Sequence, residues 1–321
     1  MSLIAELSAA LGPAHVLTGG DMGRYARDWM GTYEGTPIAV ARPGSTAEVA
    51  EVLRIAASHG LPVVPVAGNT GLTGATWTDG GVMLSVERLN RIREVRPDAR
   101  VAIVEAGVIL SRLHDAAAEH GLYFPLWFGA RGSAMIGGVL STNAGGSNVL
   151  RYGSTRALCL GLEVVLADGR VLNLMSELHK DNSGYDLKQM FIGAEGTLGV
   201  ITAAVMKLVP RPRAYATATL AVRSLPDALV LLNQLREATG GLVEAFELMP
   251  ASYMRRLSEA RPDVSLPFGG KRYDTNILVE IAATAPRDTT ADDAGDVPLT
   301  SLLQDTLAAL METGAILDAE I

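Results

Sequence analysis

The segment that most restricts the fold of this chain is PVAGNTGLTGAT, at residues 65–76, which is rich in glycine and free of charge. Glycine loses more conformational freedom on folding than any other residue, so three glycines in twelve residues need a reason. Consecutive backbone N–H groups can form an anion-binding concavity without help from a cationic side chain. The segment therefore predicts a loop that holds a pyrophosphate with backbone amides. The alternative is a run of tight turns between short strands.

Two further glycine-rich loops, at 129–146 and 193–199, favour the ligand-binding interpretation over a set of turns. The phosphate motif G-x-x-x-x-G-K-[ST] is absent, which disfavours a P-loop nucleotidase. Gly68, Gly71 and Gly74 are spaced G-x-x-G-x-x-G and lead into a strand, whereas a Rossmann loop is spaced G-x-G-x-x-G and opens a helix. A nicotinamide-dependent Rossmann enzyme is therefore also disfavoured.

Composition limits the class of protein further. The 321 residues, 48% apolar and 19% charged, suffice for about two domains with buried cores. A net charge of -8 argues against nucleic acid as a partner. No apolar stretch is long enough to span a membrane, so we expect a cytoplasmic protein. The single cysteine, Cys159, lies in an apolar run that predicts a buried thiol, and the five histidines show no metal-ligand spacing.

Hydrophobic periodicity gives the order of elements. It predicts helices at 3–11, 44–60 and 110–121 and strands at 37–43, 61–66, 101–107, 162–167 and 198–209. Ser45 and Glu48 have the spacing of a capping box, and Asp168-Gly169 predicts a hairpin turn. After a boundary at PRPR (210–213), strands and helices alternate at 214–222, 226–239, 242–248, 250–260, 276–284 and 299–312. A last strand begins at 315–321 and has nothing to pair it.

Three blocks carry a family resemblance: PVVPVAGNTGLTG, GSAMIGGVLSTNAGGSNVLRYGSTRALCLGLEVVLADG and KDNSGYDLKQMFIGAEGTLGVIT. Together they resemble the FAD-linked oxidases of the vanillyl-alcohol oxidase/PCMH superfamily, in the branch of D-lactate, glycolate and D-2-hydroxyglutarate dehydrogenases. The resemblance implies an α+β fold, with a PCMH-type FAD-binding domain of two α+β subdomains at 33–212. An N-terminal helical segment at 1–32 would precede it, and an incomplete α+β cap domain at 213–321 would follow.

The resemblance also implies which residues contact FAD. They belong to the three loops: Ala67, Gly68, Asn69, Thr70, Gly71 and Leu72; Gly132, Ser133, Gly137, Gly138, Asn143, Ala144 and Gly145; and Glu195, Gly196 and Ile201. Residues 60–75 contain no His or Cys, where covalently flavinylated relatives carry their attachment residue, so we expect non-covalent FAD. The family often has glycine or another small residue where this chain has Ala67, Ala75 and Ala130, and often Thr where it has Met135. An alanine at a positive φ would be strained.

The implied activity is the oxidation of a small D-2-hydroxy acid to the 2-oxo acid, with an electron acceptor that the sequence does not specify. In the family, the substrate clamp, the base and a histidine-containing metal site lie in a C-terminal part, and this chain shows no counterpart of its His-rich segment. We therefore assign no catalytic or metal-binding residue and expect a fragment or a truncated gene that does not turn over alone. The alternatives are an FAD-binding accessory subunit of a glycolate-oxidase-like complex and a non-catalytic flavin-fold scaffold. A homodimer or a partner subunit is compatible with either.

Overall fold

The computed structural model describes residues 1–321, which form two compact units. The first unit contains residues 1–145 and 154–209, and the second contains residues 146–153 and 210–321. The N-terminal segment 1–32 therefore packs within the first unit. Residues 146–153 lie inside the predicted 33–212 domain but pack with the second unit. The chain thus leaves the first unit at the end of its second glycine-rich loop and returns eight residues later.

The elements follow one another closely along the chain. The helices are α1 (Leu3–Leu11), α2 (Thr46–Ser58), α3 (Leu110–Ala118), α4 (Ile136–Ser141), α5 (Val149–Tyr152), α6 (Lys188–Phe191), α7 (Leu225–Ala238), α8 (Ala251–Ala260), α9 (Pro286–Thr289) and α10 (Pro298–Glu312). The strands are β1 (Val16–Leu17), β2 (Ala39–Ala41), β3 (Val63–Val66), β4 (Val82–Ser85), β5 (Ile92–Arg96), β6 (Val101–Glu105), β7 (Leu122–Tyr123), β8 (Cys159–Val165), β9 (Val171–Leu174), β10 (Val200–Lys207), β11 (Val209–Pro210), β12 (Ala214–Val222), β13 (Val243–Pro250), β14 (Thr275–Ala283) and β15 (Asp318–Glu320). None of the helices combines the length and apolarity that a membrane crossing requires.

Two sheets organise the first unit. One has the order β1–β2–β4–β3, in which β2 and β3 run parallel to β4. The other is antiparallel and has the order β5–β6–β10–β8–β9. A single core cluster joins them, because it contains Leu84 of β4, Val165 of β8 and Val200 of β10. The predicted α+β architecture with two subdomains is confirmed.

Local signals place helix α2 correctly. The Ser45 hydroxyl accepts a hydrogen bond from the Glu48 N–H (3.1 Å), as a capping box requires. The Glu48 carboxylate accepts one from the Gly44 N–H (2.6 Å), one residue before the position that the motif predicts. Gly60 follows the helix with a φ of 67°, which glycine adopts without strain.

The second unit has one antiparallel sheet of order β13–β14–β12–β15. Its main elements follow the sequence β–α–β–β–α–β, formed by β12, α7, β13, β14, α10 and β15, which is the order of a ferredoxin-like split βαβ. Leu231 and Leu303, on α7 and α10, pack into the same core as the sheet. The prediction that the last strand has nothing to pair it is wrong. Glu320 lies opposite Thr219, about 100 residues earlier, and no local pattern indicates such a partner.

Cys159 is buried at the start of β8, which begins three residues before the predicted position. Burial raises the pKa of its thiol to about 12, because the thiolate loses its hydration. The thiol is therefore a small apolar group of the core, as predicted.

Candidate cofactor-binding site

Three loops of the first unit surround a cavity of about 300 Å³. The first loop follows β3, the second contains α4, and the third precedes β10. Ligand cavities commonly have this volume or a larger one. Twelve of the sixteen residues that the resemblance implies as FAD contacts line it: Ala67, Gly68, Asn69, Thr70, Gly71, Gly137, Gly138, Ala144, Gly145, Glu195, Gly196 and Ile201.

The other four residues lie beside the cavity or away from it. The Leu72 side chain, in the first loop, is 66% exposed. Gly132 ends a short 3₁₀ turn in the second loop. The Ser133 carbonyl packs against Gly68, so closely that a Cβ added to Gly68 would lie 2.2 Å from it. Asn143 accepts a hydrogen bond from the Arg156 N–H through Oδ1 (2.9 Å). Ser133 and Asn143 therefore support the loops from outside the cavity.

Sequence reasoning missed the apolar part of the lining. Val66 ends β3 and Val86 follows β4, and both line the cavity. Because β3 and β4 are parallel, their carboxyl ends lie at the same edge of the sheet, where α/β proteins often bind ligands. That rule could have indicated both valines. Phe128 and Met135, from the second loop, add further apolar surface to the lining.

The first loop keeps its backbone donors free. None of the ten backbone N–H groups at residues 67–76 donates a hydrogen bond to another protein group. The segment contains no proline, so each residue carries an N–H. A row of free N–H groups beside a cavity is the donor set that a pyrophosphate requires when no cation is present. The residues of this loop therefore fit FAD.

Left-handed backbone conformations shape the three loops. Asn69, Asn143 and Glu195 adopt φ values of 47°, 46° and 51°, and asparagine tolerates this region better than most residues. The strain that a positive φ would impose on an alanine does not arise, because none of the three alanines has one: Ala67, Ala75 and Ala130. Asn69 and Gly74 in the first loop take the left-handed conformation instead.

The second and third loops are tied to each other by their backbones. The Gly193 N–H donates to the Leu140 carbonyl (3.0 Å), and the Glu195 N–H donates to the Ser141 carbonyl (2.9 Å). Arg156 strengthens this connection. Its N–H donates to Asn143 of the second loop, and its guanidinium donates to the Ile192 carbonyl just before the third.

The lining of the cavity contains no Lys, Arg, His or Cys, and Glu195 is its one ionisable side chain. Arg131 of the second loop lies over the Trp127 ring, 3.9 Å from its centroid. Arg151 pairs with Glu244 in the second unit (3.2 Å), and Lys180 does not line the cavity, so neither acts there. Nowhere does the chain bring three or more His, Cys, Asp or Glu side chains into a geometry that could hold a metal ion.

The histidines also lie outside this lining. His114 is buried on α3, where its Nε2 contacts the Leu126 carbonyl (3.0 Å), and burial lowers its pKa. His179 contacts the Ala99 carbonyl (3.0 Å), and His59 contacts Glu6 (3.2 Å). These contacts give the three histidines structural roles.

Comparison with known proteins identifies the family that this part of the chain matches. Residues 37–175 match the family described as FAD binding domain. The fold is similar to that of p-cresol methylhydroxylase, with a TM-score of 0.73, 17% identity, and coverage of 99% of this chain and 64% of that one. Residues 37–175 therefore carry an FAD binding domain, whose cofactor is FAD, and the chain shares its fold with p-cresol methylhydroxylase.

Curated proteins with similar sequences indicate the branch of relatives that this chain resembles. The chain is 41% identical to mitochondrial D-2-hydroxyglutarate dehydrogenase of Bos taurus over 260 residues, which are 81% of this chain and 47% of that protein. It is 42% identical to D-2-hydroxyglutarate dehydrogenase of Xanthomonas citri pv. viticola over 229 residues, which are 71% of this chain and 48% of that protein. The chain thus spans about half the length of these curated relatives. The predicted resemblance to this branch is confirmed.

Proposed function

We propose that this chain supplies the FAD-binding part of a dehydrogenase that oxidises a D-2-hydroxy acid to the 2-oxo acid. The observation that carries the proposal is a cavity formed by three loops, with free backbone N–H groups and no cationic side chain in its lining. The names of the relatives make D-2-hydroxyglutarate the first substrate to test, before D-lactate and glycolate. We further propose residues 33–212 as the FAD-binding domain and residues 213–321 as a substrate or cap domain.

The chain's own residues would divide the work of binding. When bound, FAD would supply the acceptor for the hydride that leaves the α-carbon of the substrate. The N–H groups of residues 67–76 would hold the pyrophosphate. Val66, Val86 and Phe128 would exclude water from the apolar part of the cofactor, because all three line the cavity with hydrocarbon surface.

Neither the catalytic base nor the substrate clamp is assigned to this lining. A base must lie within hydrogen-bond reach of the substrate hydroxyl. Orientation of a substrate that is held by its carboxylate can lower the barrier by roughly 7–11 kcal/mol. The lining offers the Glu195 carboxylate alone, and no cation that could anchor a substrate carboxylate. We therefore propose that both functions come from residues outside this cavity.

A titration with FAD tests the cofactor proposal. We expect the apo protein to quench flavin fluorescence at a stoichiometry of one FAD per chain. Acid precipitation should then leave the yellow colour in the supernatant, because the lining contains no His or Cys that could form a covalent bond. Colour in the pellet would contradict non-covalent binding. A protein that takes up no FAD would contradict the proposed function and favour a non-catalytic scaffold.

Anaerobic mixing tests the catalytic part. We expect the FAD-loaded chain to show no rapid flavin bleaching with D-2-hydroxyglutarate, D-lactate or glycolate, because the lining has no substrate clamp. Rapid bleaching by one of them would identify the substrate and show that the catalytic groups lie within residues 1–321. An FAD-loaded chain that bleaches only when a partner protein is added would support the accessory-subunit alternative.

Location and assembly are also proposals. The expectation of a cytoplasmic protein competes with the name of the bovine relative, which places that protein in the mitochondrion. Cell fractionation with an antibody against the native protein decides between them, and sedimentation analysis gives the oligomeric state.

A further inference from the structure

The first loop does not hold its own shape. Neither the N–H groups nor the carbonyl groups of residues 67–76 form a backbone–backbone hydrogen bond. A loop without internal backbone hydrogen bonds must be ordered by other contacts, or the entropy cost of ordering it weakens ligand binding. The contacts that order it are therefore part of the binding site in energetic terms.

One such contact is a closed turn at residues 26–36, which we call the strap. The Gly35 N–H donates to the Ala26 carbonyl (2.7 Å), and the Asp28 N–H donates to the Tyr33 carbonyl (3.0 Å). The Asp28 carboxylate accepts a bond from the Tyr33 N–H (3.0 Å), and Asp28 is only 3% exposed. Backbone and side-chain bonds thus fix the strap independently of the loop.

The strap holds the first loop through Asn69. The Asn69 amide donates from Nδ2 to the Arg27 carbonyl (3.0 Å). Its Oδ1 accepts a bond from the Thr76 hydroxyl (2.5 Å). Because one side chain joins the strap to both ends of the loop, it fixes the separation of those ends.

The strap also covers the loop with Tyr33. A Cβ added to Gly74 would lie 2.2 Å from the Tyr33 ring, so the ring packs directly on the glycine backbone. The Trp77 ring stacks on the Tyr33 ring, with 5.9 Å between the ring centroids and 9° between the ring planes. Thr36 anchors the C-terminal end of the strap, because its N–H and its hydroxyl both donate to Asp79 (2.8 and 3.0 Å).

We propose that the strap positions the first loop for the cofactor, with Tyr33 and Asn69 as its positioning residues. Tyr33 does not line the cavity, so it acts through Gly74 and Trp77 rather than by contact with FAD. The inference rests on the proposed function, because it assumes that FAD occupies the cavity. It adds to that function a segment, residues 26–36, that lies wholly before the matched FAD-binding domain.

The test compares three variants of the full chain. Tyr33→Ala removes the ring, Tyr33→Phe keeps it, and Trp29→Ala changes the exposed tip of the same strap, where Trp29 is 66% exposed. For each we measure the FAD dissociation constant, the melting temperature, and the NMR order parameters of the backbone of residues 67–76 without FAD. We expect Tyr33→Ala to bind FAD at least about fivefold more weakly, since a disordered loop must be ordered on binding. Its order parameters at residues 67–76 should also fall below those of the parent. Tyr33→Phe and Trp29→Ala should match the parent in FAD affinity and in order parameters.

The outcomes separate the two proposals. If the parent takes up no FAD, the proposed function fails. If the parent binds FAD and Tyr33→Ala binds it equally with unchanged order parameters, the positioning role of the strap fails. Weaker binding with unchanged order parameters would likewise overturn it, because Tyr33 would then contact FAD directly. Should Tyr33→Ala not fold, Tyr33→Leu removes the ring that packs on Gly74 while keeping an apolar side chain, and the same readouts apply.

Discussion

The contact between Gly68 and Ser133 gives the sharpest test of how the first two loops fit together. A Cβ at Gly68 would lie 2.2 Å from the Ser133 carbonyl oxygen and 3.1 Å from the Ala134 Cα. Both are backbone atoms, so no side chain can rotate away. An ordinary carbon–oxygen contact needs about 3.3 Å or more, so Gly68→Ala must separate the loops by about 1 Å.

A separation of this size has a measurable cost. Overpacking in a closely packed region lowers the free energy of unfolding by about 1–3 kcal/mol. We expect Gly68→Ala to unfold at a correspondingly lower urea concentration. FAD affinity should fall about tenfold, as when one hydrogen bond worth about 1.4 kcal/mol is lost, because the N–H donors of the first loop move away from the second.

Gly71→Ala is the matched control in the same loop. A Cβ at Gly71 meets nothing within 4 Å, and Gly71 has no positive φ. Its free energy of unfolding should stay constant or rise by about 0.4–1 kcal/mol, since alanine restricts the unfolded chain. FAD affinity should still fall, because Gly71 lines the cavity. A Gly68→Ala protein with the urea midpoint of the parent would refute the reasoning about loop spacing.

Three further predictions concern other sites. Gly138→Val should fold but lose FAD in a fluorescence titration, because its Cβ would lie 3.2 Å from the Ala67 Cβ and the rest of its side chain would enter the cavity; parental affinity would misplace the second loop. Native Cys159, whose thiol pKa is raised to about 12, should resist iodoacetamide at pH 8 and react only after denaturation, as mass spectrometry can show. Burial raises the pKa of Glu244, so its ionisation opposes folding as the pH rises above its ordinary pKa of 4.5. The free energy of unfolding of Glu244→Gln, measured in urea titrations, should therefore rise relative to that of the parent as the pH increases from 4.5 to 7. A relative fall over the same pH range would contradict the burial argument.

Local patterns predicted the parts of the structure that depend on local physics. The cap at Ser45 and Glu48 needs only neighbouring residues, and so does the left-handed glycine after α2. The loops were equally visible, because glycine allows the close backbone approach that a bound ligand needs and the first loop offers no charged side chain in its place. The individual FAD contacts were implied by the family resemblance, and twelve of those sixteen residues line one cavity.

The sequence could not indicate contacts between distant segments. The pairing of β15 with β12 joins Glu320 to Thr219, and the Arg151–Glu244 ion pair joins residues 93 positions apart. That pair also explains why residues 146–153 pack with the second unit, since Arg151 donates as well to the Ala282 carbonyl (2.7 Å). Such partners have no periodic or motif signal, because any of many carboxylates could have satisfied the same arginine.

The absence of cations from residues 65–76 has a structural consequence beyond the cavity. Backbone N–H groups bind an anion well only when their directions are fixed in advance, because each is a small dipole rather than a mobile charge. The first loop has no internal backbone bonds, so this order comes from the Asn69 contacts, the Tyr33 ring and the Ser133 carbonyl. Arg156 supports the other two loops from outside the cavity, because its backbone N–H donates to Asn143 and its guanidinium donates to the Gln189 and Ile192 carbonyls just before the third loop. Neutral contacts therefore order the first loop, a positive charge supports the other two from outside the cavity, and none of the three loops places a cation in the lining.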